Sequence, residues 1–104
     1  VQFEDKEAIE NAEEILKVDN IDVFFIGPSD LCQSMGFPGQ YDEPSVAHAI
    51  SSTFEKILKS GQVAGTPGNA VKIKSVLDQG VLYTYTHATK LLGSGADVFF
   101  SATK

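Results

Sequence analysis

Two acidic residues stand where they could do chemistry. Glu4 follows the short stretch Val1-Gln2-Phe3, and Asp30 follows the run Ile21-Asp22-Val23-Phe24-Phe25-Ile26 and the segment Gly27-Pro28-Ser29. Each therefore comes directly after residues that read as a β-strand. If the two strands are neighbours in a parallel sheet, both carboxylates face one cleft on the same sheet edge. Two carboxylates with open coordination positions suit a hard divalent cation such as Mg²⁺ or Mn²⁺, which keeps waters and takes substrate oxygens. Spacing alone leaves a second reading open, two solvated acids at loop starts. Gly27 lets a ligand approach the backbone and Pro28 fixes the turn. The amides of Gly27 and Ser29 are candidates to hold a carboxylate or phosphate. A plain turn is the other reading.

The remaining reactive side chains offer less. Cys32 is the only cysteine and has no His/Asn partner pattern, so a nucleophilic role is not expected. His48 lies between Ala47 and Ala49 inside a helical pattern and reads as a surface or packing residue. His87 follows the last strand and could line the cleft. Gly65-Thr66-Pro67-Gly68 lacks the Gly-Lys-Ser/Thr ending of a phosphate loop. All eight basic residues are lysine. With no Arg fork, planar anions must be held by backbone amides, Lys, a metal or another chain.

The elements that position these residues alternate. Glu7 to Val18 reads as a helix, with Ala8, Ile9, Ala12, Ile15 and Leu16 on one face. The β-branched and aromatic run 21–26 reads as a buried strand. Leu31 to Pro44 carries Gly36, Pro38, Gly39 and Pro44 and reads as an irregular loop with room for one helical turn. Ser45 is a candidate cap for a helix to Ser60, closed by Gly61. Gln62-Val63-Ala64-Gly65 reads as a strand and Thr66-Pro67-Gly68 as a turn. Asn69 caps a helix over Ala70 to Gln79, and Val81 to Tyr85 is a strand. In the tail, a helix starting at Lys90 to Leu92 is interrupted by Gly93 and Gly95, and Ala96 to Ala102 is open to a strand reading.

Four βα units in sequence imply a parallel sheet with right-handed crossovers. That is half of a (β/α)8 TIM barrel, or alternatively a small doubly wound sheet. The 104 residues then form a single partial domain, 1–104. An open four-stranded parallel sheet exposes two apolar edges. The expectation is that the chain pairs with another copy or is part of something longer, and a start at Val1 inside a strand favours the second. The net charge of −6 disfavours a nucleic-acid partner. No run of about 20 apolar residues offers a membrane span, and a single cysteine points to a cytoplasmic setting.

Gln2-Phe3-Glu4 and Phe25-Ile26-Gly27-Pro28-Ser29-Asp30-Leu31, at this spacing, resemble the HpcH/HpaI aldolase family of metal-dependent pyruvate aldolases. Ala8 to Val18, Ser34-Met35-Gly36, Gly39-Gln40 and Ala64-Gly65 fit the same pattern, so the resemblance covers roughly residues 1–92. It implies strands five to eight of the barrel. It implies Glu4 and Asp30 as carboxylate ligands of Mg²⁺, Mn²⁺ or a similar ion, and Gln2, Gly27, Pro28 and Ser29 as substrate-binding residues. The reaction implied is retro-aldol cleavage of a 4-hydroxy-2-oxo acid through a metal-stabilised pyruvate enolate; a similar branch acts on oxaloacetate. The family's final helix often swaps between subunits; self-association of this chain is expected from its open sheet edges. The family's general-base His and carboxylate-binding Arg belong to earlier strands, and neither His48 nor His87 matches that His. The alternative is a non-catalytic half-barrel that dimerises and at most binds a divalent cation. Tyr83-Thr84-Tyr85-Thr86-His87 departs from the smaller residues usual in the family there, and residues 93–95 alter its final helix.

Overall fold

The computed structural model describes residues 1–104. Ten elements follow in order: β1 (Gln2–Phe3), α1 (Lys6–Glu10), α2 (Ala12–Ile15), β2 (Phe24–Ile26), α3 (Pro28–Ser34), α4 (Pro44–Lys59), β3 (Ala64–Pro67), α5 (Ile73–Asp78), β4 (Tyr83–Tyr85) and α6 (Ala88–Ser101). The four strands form one parallel sheet in the order β1-β2-β3-β4. Sequential order with helical crossovers is the arrangement expected of half a TIM barrel. It is not the doubly wound alternative, in which strand order reverses at a switch point.

Alternation along the strands sorts side chains onto two faces. Phe3, Phe24, Ile26 and Ala64 point towards the helices and are wholly buried, with Ala12, Leu16, Leu31, Phe54, Ile57 and Val81 closing the same core. Burial of each such Phe or Ile contributes about 1.5–3 kcal/mol. The opposite face carries Gln2, Phe25, Gly65, Tyr83 and Tyr85. Phe25 lies parallel to Tyr85, with ring centroids 5.4 Å apart, and meets Tyr83 edge-on at 6.1 Å. Gly65 makes this approach possible. A Cβ there would stand 2.8 Å from the Phe25 ring and 3.1 Å from the backbone of Tyr83.

Several local readings give way to the fold. The helix expected over 7–18 is two short helices meeting at Asn11, whose φ and ψ of −93° and 10° leave the helical region. Its true start is Asp5, which accepts a 2.7 Å bond from the Ala8 N–H. The apolar stripe itself begins only at Ala8, three residues past this cap. The segment after β2 is not loop throughout. Pro28 to Ser34 forms α3, with Pro28 in the first turn, where its fixed φ and missing N–H cost nothing. Pro44 opens α4 in the same way, with Glu43 rather than Ser45 as the cap. Asn69 does cap its segment, accepting from the N–H groups of Val71 and Lys72, but α5 proper begins at Ile73.

Thr66 and Pro67 belong to β3, not to a turn. The Phe24 N–H donates to the Val63 carbonyl, so by alternation the main-chain groups of Gly65 and Pro67 face β2. β2 ends there, at Ile26, and the strand tolerates a proline. The tail is a single helix, α6, running through Gly93 and Gly95. Residues 96–102 are therefore not a strand. No residue of α6 is buried, and Leu91, Leu92, Val98, Phe99 and Phe100 are 59–74% exposed. No helix is long and apolar enough to cross a membrane.

Candidate active site

β1 and β2 are hydrogen-bonded neighbours, with Gln2 opposite Phe25 and Phe3 opposite Ile26. Their C-terminal ends therefore share one edge of the sheet. Glu4 leaves β1 at that edge, and Gly27 leaves β2 beside it. A Cβ built on Gly27 would lie 3.3 Å from the Glu4 Cβ and 2.5 Å from the Gln2 Nε2. The missing side chain of Gly27 is what lets Gln2 and Glu4 lean over the β2 terminus. Gln2, Glu4 and Gly27 are thus brought together.

The turn after Gly27 is the start of α3. Pro28, Ser29 and Asp30 occupy its first three positions, and Asp30 is the acidic residue of the first turn. A carboxylate there is favoured by the partial positive charge of the helix start. The Gly27 N–H is not available to a ligand, because it donates to the Phe3 carbonyl at 2.9 Å. Pro28 has no N–H. The open donors are those of Ser29 and Asp30, which lack a helical carbonyl four residues back. Of the Gly27 and Ser29 amides expected from the sequence as anion donors, that of Gly27 is therefore taken by the sheet. A sheet hydrogen bond of this kind has no signal in the local sequence.

Glu4, Ser29 and Asp30 are exposed, whereas Gly27 is buried. The Ser29 hydroxyl shares a 3.1 Å hydrogen bond with the Tyr41 hydroxyl, which brings the α3–α4 loop over the start of α3. Sequence reading did not single out Tyr41. No three His, Cys, Asp or Glu side chains stand where together they could hold a metal ion. His48 is exposed on α4, as the helical pattern indicates. His87 precedes α6 and stands edge-on to Tyr85, with ring centroids 5.6 Å apart. Cys32 is fully buried in α3, and burial pushes its thiol pKa up. A raised pKa suppresses the thiolate.

A sequence profile of the family described as HpcH/HpaI aldolase/citrate lyase matches residues 1–97. The chain belongs to that family. Over 99 residues it is 39% identical to a 4-hydroxy-2-oxo-heptane-1,7-dioate aldolase of Salmonella arizonae, covering 93% of this chain and 38% of that relative. The chain thus spans little more than a third of the length of the curated relatives it matches. Among solved structures, an HpcH/HpaI aldolase/citrate lyase family protein from Burkholderia cenocepacia superposes on the whole chain with a TM-score of 0.89 at 22% identity, covering 42% of that structure. A citrate synthase, SbnG, matches 98% of the chain with a TM-score of 0.81 at 21% identity. This HpcH/HpaI segment is therefore an α/β half-barrel. One fold here carries relatives with different names, so the reaction must be argued from the site.

Proposed function

We propose that this HpcH/HpaI segment supplies the metal-binding and carboxylate-binding half of an aldolase that cleaves a 4-hydroxy-2-oxo acid to pyruvate and an aldehyde. The observation that carries the reading is the shared edge of β1 and β2, with Glu4 beside Gly27 and Asp30 in the first turn of α3. Two carboxylates without a third protein ligand fit Mg²⁺ or Mn²⁺, which bind through one or two carboxylates and fill the rest with water and substrate oxygens. Glu4 and Asp30 would hold the ion. When bound, such an ion supplies Lewis-acid stabilisation of negative charge developing on a 2-oxo group.

The chain's own groups do the rest of the binding. The N–H groups of Ser29 and Asp30 point out of the helix start and suit the carboxylate of pyruvate or oxaloacetate. Gln2, with its amide against Gly27, positions polar atoms beside Glu4. Pro28 holds the helix start rigid, which lowers the cost of ordering the donors. A general base and an arginine are the parts that other strands of the barrel would contribute. α6 is the natural self-association element, since its apolar side chains have nothing to pack on within the chain.

A second reading has one observation in its favour. The 104 residues hold no Arg. A half-barrel that associates with itself and at most binds a divalent ion fits that fact. The deciding experiment measures Mn²⁺ binding by the chain with electron paramagnetic resonance. It then measures pyruvate release from a 4-hydroxy-2-oxo acid by the longest natural polypeptide containing these residues. Ion binding lost in Glu4→Gln and Asp30→Asn, together with pyruvate release, supports the aldolase. Ion binding without release supports the second reading. No ion binding sinks both metal assignments.

A further inference from the structure

The Glu4 edge leaves a second concavity unexplained. It lies between α4, the β3–α5 loop and α5, and holds about 400 Å³. Its apolar floor is formed by Ile50, Phe54 and Val76, and Lys72 and Lys90 both line it. Phe54 belongs to the core and is 4% exposed, so the floor is fixed by packing.

The two lysines are the informative part. Six lysines pair with carboxylates: Lys6, Lys17, Lys56, Lys59, Lys72 and Lys74. Lys90 has no carboxylate within 4.0 Å, although the chain carries a net charge of −6. The partner of Lys72 is Asp42, at 3.6 Å, with a side chain 97% exposed. An exposed pair of this kind is worth little and is readily exchanged. Two lysines thus line one cavity in an acidic protein, and their positive charge favours an anion there. The floor excludes a bare inorganic ion as the best fit, because Ile50, Phe54 and Val76 offer it nothing.

We propose that this cavity binds a small organic acid, with its carboxylate between Lys72 and Lys90 and its methylene stem on Ile50, Phe54 and Val76. Binding of a free ligand here does not depend on the divalent ion or on the aldolase reading, whereas the far end of a substrate rests on that reading. Its ligand could be a free dicarboxylate or the far end of a dicarboxylic substrate, since Ser29 lines the same cavity and lies next to Asp30.

The test is a titration of the metal-free chain with succinate, followed by ¹⁵N NMR. Saturable shifts are expected at Lys72, Ser75, Val76 and Lys90. In a Lys72→Met, Lys90→Met double variant the affinity should fall at least about tenfold, while Lys72→Arg, Lys90→Arg retains it. Both lysines are exposed, and an unchanged spectrum outside the cavity confirms that the variants are folded. Unchanged affinity in the methionine variant, shifts centred on Glu4 and Asp30, or equal affinity for inorganic phosphate would each overturn the proposal. Adding pyruvate and Mg²⁺ then separates the two sources. Independent binding of succinate and pyruvate supports a separate dicarboxylate, and mutual exclusion supports the far end of one substrate.

Discussion

The Thr66 hydroxyl donates to the backbone carbonyl of Ile26 across 3.1 Å, from a fully enclosed position. In a continuing parallel ladder that carbonyl would receive the N–H of residue 67. Residue 67 is proline and has none. The hydroxyl takes over the missing main-chain bond, at the point where β2 gives way to Gly27 and α3. Thr66→Val keeps the shape but leaves a buried carbonyl without a donor. A loss of about 1–3 kcal/mol is expected, measured as a lower urea midpoint with an unchanged slope. A midpoint equal to that of the parent chain would show that the bond is replaceable.

Gly27→Ala should separate site geometry from stability. The backbone at Gly27 has φ of −96°, which alanine adopts freely. The added Cβ meets the flexible end of Gln2 at 2.5 Å and the Cβ of Glu4 at 3.3 Å. Gln2 must swing away and Glu4 must shift by a few tenths of an ångström. Mn²⁺ affinity should drop several-fold while the thermal midpoint moves little. Equal affinity would mean that Glu4 is not held by this contact.

The hydroxyl of Thr84 is buried and has no hydrogen-bond partner. A buried unpaired hydroxyl carries a desolvation cost that an isosteric methyl does not. Thr84→Val should therefore stabilise the chain by up to about 1 kcal/mol. Urea unfolding monitored by circular dichroism checks the sign.

Cys32 gives a pH dependence. An unfolded thiol ionises near pH 8.5, whereas burial raises the pKa of the folded one. Between those two pKa values the unfolded chain binds fewer protons than the folded chain. Stability must fall as pH rises through that window, and it is unaffected by the thiol below it. Urea midpoints at pH 7 and pH 10 should converge in Cys32→Ala relative to the parent. A thiol reagent should label the native protein only as fast as it unfolds; rapid labelling at pH 7 would contradict the burial.

α6 carries the association prediction. Leu92 and Phe99 are seven residues apart on one face and are 74% and 66% exposed. Apolar side chains left in water favour a covering partner by about 25 cal/mol per Å². Sedimentation of the parent chain should show a dimer or larger species, and Leu92→Glu with Phe99→Glu should reduce it to a monomer. An identical sedimentation coefficient for both would remove α6 from the interface.

What the amino-acid sequence determined by itself is local and periodic. The alternation of strand and helix, the buried face of β2, and the two carboxylates just past strand ends all follow from side-chain types a few residues apart. Such patterns survive because hydrophobic periodicity is a property of each segment alone. The tertiary structure decided which groups remain open. It placed β1 beside β2, so that Glu4 reaches Gly27 across 23 positions of sequence. It spent the Gly27 N–H on Phe3 and moved the free donors to Ser29 and Asp30. It drew Pro67 into a strand by letting Thr66 supply the absent hydrogen bond. It also carried α6 through two glycines that local propensity would have used to stop it. Each of these outcomes depends on a partner far along the chain or on the path of the backbone as a whole, and no short window of residues contains either.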